Sequence, residues 1–134
     1  MLVLKESEAE ISLGDFQEIE KIVKGNLPSI FKRLYIKNNG GFPEVTRLEV
    51  DDFIYSINGF HSVRYGRLPI DKLILDFYQA WPELKGFVPF AYDDGGNEFM
   101  LCLNEDGYEN VFLWLADERR LEKVCCSFEA FCQR

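Results

Sequence analysis

Histidine is nearly absent from this sequence. His61 is the sole one in 134 residues, so nucleophilic catalysis of the Ser–His or Cys–His kind has one candidate base, in a loop with no nucleophile signature around it. Cys102, Cys125, Cys126 and Cys132 contain no C-x-x-C pair and no neighbouring histidine. A zinc set therefore has no spacing to draw on, and no metal or other cofactor is expected. Cys102 lies inside Phe99-Met100-Leu101-Cys102-Leu103, where cysteine behaves as a small buried hydrophobe. Reduced thiols in a cytoplasmic chain are the expectation. No apolar run approaches the length of a transmembrane helix. The opening MLVLKESEAEISLGDF lacks a basic n-region, a long apolar h-region and a small-residue cleavage site, so neither export nor membrane association is expected. Positive charge is scarce too: 15 Lys and Arg against 23 Asp and Glu leave a net charge of −8 and a pI near 4.7. Such a field repels phosphate backbones and anionic membranes and attracts cationic protein surfaces, although acidity by itself also serves solubility.

What is abundant is apolar material: 47% hydrophobic and 15% aromatic residues, with 12 Phe, 6 Tyr and 2 Trp. A chain of this length buries roughly two-thirds of the surface its unfolded form exposes, so a single domain over 1–134 with one core is expected, without help from disulfides or metal. Ser12 can cap a helix over 13–24, with Leu13, Phe16, Ile19 and Val23 at helical spacing until Gly25. Leu27-Pro28 opens a second helix with proline at its first position, and Asn38-Asn39-Gly40-Gly41 stops it through residues that tolerate the left-handed conformation. Two short strands, 45–50 and 53–57, are joined at Asp51-Asp52, and a polar loop covers 58–67. Pro69 starts a third helix carrying Ile70, Leu73, Ile74, Phe77 and Trp81, and Pro82 ends it. The last third reads as an antiparallel meander, 87–92, 98–103 and 111–116, with turns at 93–97 and 104–110. Both alternating faces of these strands are apolar, which predicts a sheet covered on both sides. A final strand over 121–125 and a short helix capped by Ser127 follow. The order predicts an α+β fold, a central and mostly antiparallel sheet flanked by helices, with no repeat or linker.

The polar knot Asp93-Asp94-Gly95-Gly96-Asn97 invites chemical readings, and each can be tested. A phosphate loop needs glycines followed by Lys and Ser or Thr, whereas this segment offers carboxylates. An EF-hand needs oxygen ligands spread over twelve residues, and here glycines and apolar side chains occupy those positions. The carboxylate pairs Asp51/Asp52, Asp93/Asp94 and Glu105/Asp106 are the residue types of general acid–base work, yet adjacent acids in turns are ordinary solvated residues. Trp81, Trp114 and the phenylalanines fall on periodic faces, which assigns them to the core rather than to base stacking.

Two segments in order, LPSIFKRLYIKNNGG from Leu27 and VPFAYDDGGNEFMLCL from Val88, followed by a strand ending in Trp114 and a terminal Ser127-Phe128 helix, resemble the SUKH superfamily, which includes the yeast cell-wall regulator type. The resemblance runs from about residue 12 to the C-terminus and is weakest over 42–67. It implies the same α+β fold, with Pro28, Gly40, Gly41, Pro89, Phe90, Gly95, Gly96, Asn97 and Trp114 as fold-determining motif residues. It further implies an immunity protein of the bacterial branch, not an enzyme, which binds and neutralises a basic cognate toxin domain such as a nuclease. On that reading the contact candidates are acidic and aromatic loop residues: Asp51, Asp52, Tyr55, His61, Tyr65, Asp93, Asp94, Glu105, Asp106 and Tyr108. A regulatory or scaffolding module of the same fold, and a small hydrolase using a carboxylate pair, are the competing expectations.

Overall fold

The computed structural model describes residues 2–133. The chain is α+β, built from a five-stranded antiparallel sheet, two small two-stranded sheets and four α-helices among the described residues. The central sheet has the order β5 (Gly59–Phe60), β6 (Phe87–Tyr92), β7 (Glu98–Cys102), β8 (Val111–Leu115), β9 (Arg120–Cys125). Its three middle strands are the expected meander. β5 lies inside the segment read as a loop and corrects that reading. Two residues are too few to show periodicity, and Gly59 and Phe60 pair with Tyr92 and Ala91 only because the tertiary fold brings β6 alongside.

Cross-strand neighbours place Phe99, Leu101, Val111 and Leu113 on one face, and Met100, Phe112 and Trp114 on the other. The first face meets α2 (Ser29–Lys37) and α4 (Phe128–Cys132) through an aromatic core in which Phe90 touches Phe60, Phe128 and Phe131 at ring separations of 5.1–5.9 Å. Burying each such ring is worth about 2–3 kcal/mol. The second face carries a smaller cluster, Leu84, Met100 and Trp114. It is covered by Trp81, which follows α3 (Ile70–Ala80) and lies 5.4 Å from the Trp114 ring. The sheet is thus apolar on both sides because helices or their extensions cover both.

Element ends differ in detail from the periodic reading. The first helix is a 3₁₀ turn, Leu13–Phe16, running into α1 (Gln17–Val23). At its start the Asp15 carboxylate accepts from the Ser12 N–H at 2.9 Å, and the left-handed residue at its end is Lys24, φ 61°, rather than Gly25. Pro28 and Pro69 stand at the N-cap positions, one residue before the helices they introduce. Pro82 ends α3 and opens a short 3₁₀ turn to Leu84. β3 (Arg47–Val50) and β4 (Phe53–Ser56) form the expected hairpin. A further pair, β1 (Leu4–Lys5) with β2 (Phe42–Pro43), has no counterpart in the sequence reading.

The two glycine-glycine motifs find physical roles. Helix α2 ends on an extended Asn38, and the left-handed residues are Gly40 (φ 73°) and Gly41 (φ 120°) beyond it. A Cβ on Gly41 would lie 2.4 Å from the Lys5 carbonyl oxygen, and one on Gly40 2.9 Å from the His61 carbonyl. Asn39 is 3% exposed; its amide donates to the Ala9 and Val63 carbonyls, both at 2.9 Å, and its oxygen accepts from the Val63 N–H at 2.7 Å. This one side chain therefore replaces a strand partner for segments remote in sequence. Pro89 sits in β6 beside the register shift between Pro89 and Ala91, a place where a missing N–H is tolerated.

Candidate functional site

The acidic and aromatic contact candidates do not gather on one surface; the fold distributes them over several. Asp51 and Asp52 form the exposed tip of the β3–β4 hairpin, with Asp51 at φ 54°, a conformation that aspartate tolerates better than most residues. Tyr55 lies on the same hairpin but faces inward. It is 9% exposed, its hydroxyl donates to Glu122 Oε2 at 3.1 Å, and burial together with that carboxylate pushes its phenol up to about 12. It packs edge-on to Phe99, which is a core role.

His61 is likewise enclosed rather than displayed on a loop. Following β5, it places Nε2 2.7 Å from Glu98 Oε1, with its ring 5.0 Å from that of Tyr92. Burial, opposed by the His61 contact, leaves the Glu98 carboxyl above its ordinary value. Of the two, His61 borders a cleft of about 500 Å³ to which Glu6, Glu8, Ser62, Arg67 and Tyr92 also contribute. An imidazole against a carboxylate is an acid–base pair in principle. The adjacent Ser62 hydroxyl donates instead to the Tyr65 carbonyl. Tyr65 is half-exposed, with the Arg64 guanidinium 5.2 Å over its ring. Arg64 in turn pairs with Asp15, whose carboxyl is held below its usual range by the Ser12 backbone bond first and by Arg64 second.

The β6–β7 turn is organised by Asp93. Its Oδ1 accepts from the Gly95 and Asn97 N–H groups at 2.9 and 2.8 Å, and its Oδ2 from the Asn97 side-chain amide at 3.1 Å. Gly96 supplies φ 83° in open space. The knot is therefore a self-satisfied turn. Asp94 is exposed and donates its N–H to Ser56 Oγ at 3.2 Å, which seats the turn against the base of the hairpin. Glu105, Asp106 and Tyr108 lie at the opposite end of β7, about 17 Å of strand away. Glu105 and Asp106 are exposed, while the Tyr108 hydroxyl donates to the Asn26 carbonyl.

Among the described residues no three His, Cys, Asp or Glu side chains come together as a metal site, and no helix is long and apolar enough to cross a membrane. The fold, the paired glycine turns and the order of the motifs agree with one family pattern: that of the SMI1 / KNR4 family (SUKH-1), which matches residues 10–134. The chain belongs to the SMI1 / KNR4 family. No curated protein and no solved structure matches it. Within this SUKH-1 chain, the His61–Glu98 pair and the bridging role of Asn39 are what sequence reasoning missed. The partners lie 37 and 24 residues apart, and nothing local to either residue announces them.

Proposed function

We propose that this SUKH-1 chain is a bacterial, cytoplasmic immunity protein that binds and neutralises a cognate toxin domain, a basic domain of nuclease type, by stoichiometric association rather than by catalysis. The observation that carries the reading is family membership joined to the net charge of −8. A nuclease holds nucleic acid with Lys and Arg, so an acidic protein is steered onto that surface and either plugs it or covers an adjacent face. About 800 Å² per partner suffices for a stable complex.

The test is affinity capture of the tagged chain from its source cells at low and high salt, followed by assay of the retained protein. One basic domain, inhibited at a one-to-one ratio and released by salt, is the expected outcome. Several housekeeping partners with no inhibited domain would instead assign the chain to a regulatory or scaffolding role.

A further inference from the structure

Among the described residues the β3–β4 hairpin shares no backbone ladder with any other strand. It is held by its inner face, where Leu48, Val50 and Tyr55 enter the core. Its tip projects four consecutive exposed residues, Asp51, Asp52, Phe53 and Ile54. Phe53 is 61% and Ile54 62% exposed. Consecutive in β4, they leave opposite faces of the hairpin, Phe53 on the side of Tyr55 with the two rings 6.4 Å apart and Ile54 on the side of Glu49, beside two carboxylates with no ion pair to any described residue. Several acids elsewhere are engaged, Asp15 with Arg64, Glu83 with Arg119, Asp93 with its turn and Glu98 with His61, whereas others, Glu105 and Asp106 among them, are exposed as these two are. The Arg47 guanidinium on the same hairpin is already paired with Glu49 at 3.0 Å, so it does not offset the tip.

A core-anchored hairpin that presents an exposed apolar side chain on each face and charge at its tip is suited to insert into a protein contact. From it we infer that the β3–β4 tip is the docking surface for a basic protein domain, Phe53 and Ile54 entering the contact while Asp51 and Asp52 meet its cations. This rests on the immunity reading for the identity of the partner. Charge complementarity selects the occupant. Another apolar surface, a groove of about 470 Å³ along α2 lined by Leu2, Ile30, Leu34 and Cys132, carries Lys37 on its rim. The adjoining hollow adds Arg33, and both are the wrong sign for a basic domain.

Two measurements test the inference. In the first, backbone amide shifts are followed while a synthetic peptide of alternating lysine and leucine is added. Shifts concentrated on residues 49–56 are expected, and shifts equally large at 93–98 and 104–110 would overturn the inference, since acidity alone would then explain the binding. In the second, a photo-crosslinking side chain replaces Ile54 or, as control, Lys37, and the chain is presented to a lysate of its source cells. The expected product is a cross-link from position 54 alone, to a basic domain that the chain also inhibits. Phe53→Ser with Ile54→Ser should then weaken retention about tenfold or more while leaving thermal unfolding in place. Retention of an inhibited basic domain that cross-links only from position 37 overturns the surface and leaves the immunity reading standing. A cross-link between two copies of the chain overturns it in favour of self-association. Failure to retain any inhibited basic domain removes the immunity reading and this inference with it.

Discussion

Two turns in this protein open with a pair of adjacent aspartates, and the pairs do opposite work. In the β6–β7 turn, Asp93 accepts three hydrogen bonds from Gly95 and Asn97 and closes the loop on itself. At the β3–β4 tip, Asp51 and Asp52 are exposed and unpaired among the described residues. The difference is one of surroundings rather than of residue type. The first turn has five residues in which two backbone N–H groups converge on one carboxylate, whereas the second reverses the chain in two residues and neither of its carboxylates accepts a hydrogen bond from a described residue. Carboxylates committed to the fold are poor candidates for recognition. Unpaired ones beside exposed Phe53 and Ile54 are better ones.

That contrast can be broken or sharpened by substitution. The largest effect is expected at the other fold-committed polar side chain, Asn39: Asn39→Ala leaves the Ala9 and Val63 carbonyls and the Val63 N–H without partners. It should cost on the order of 4 kcal/mol in urea unfolding. A loss below about 1 kcal/mol would mean that water replaces the amide. Asp93→Ala should cost about 2 kcal/mol by the same measurement, because it removes a charged acceptor from three donors.

Glu98 is a third kind of carboxylate, enclosed and facing His61. Burial holds its carboxyl above the ordinary value of 4.5, so the folded state binds this proton more tightly than the unfolded one. Its contribution is present below that ordinary value and is lost as pH rises through the raised one. The stability of the wild-type protein relative to Glu98→Gln should therefore fall as pH is raised through the window just above 4.5. A difference that grows with pH instead would show that the His61 partnership outweighs burial. The smallest stability effect belongs to the tip. Asp51→Asn with Asp52→Asn should change unfolding by less than about 0.5 kcal/mol, while slowing association with the proposed basic partner at low salt and leaving it nearly unchanged at high salt. A large stability loss would place these two aspartates with Asp93.

Much of this arrangement was legible before any fold was in view, and particular residues show where legibility stopped. The meander was readable because Phe99, Leu101 and Leu103 alternate with Met100 and Cys102, and the turn between its strands because glycine and asparagine punctuate it. β5 was not, since two residues carry no period. Acidic pairs were visible as candidates, but whether a carboxylate faces water or its own backbone depends on which donors the turn presents. Tyr55 and His61 look in sequence like displayed aromatic groups. Tyr55 is buried and His61 partly so, and their carboxylate partners, Glu122 and Glu98, lie 67 and 37 residues away.

The sequence by itself determined the periodic elements, the apolarity of both sheet faces, the net charge and the order of motifs that marks a SUKH-1 chain, because each is written in local spacing or simple composition. The folded chain decided that Asn39 bridges remote segments, that His61 is paired, and that Asp93 is committed while Asp51 and Asp52, near Phe53 and Ile54, have no partner among the described residues. A hydrogen-bond partner or a solvent-facing direction exists only once segments distant in the chain have been brought to within about 3 Å of one another.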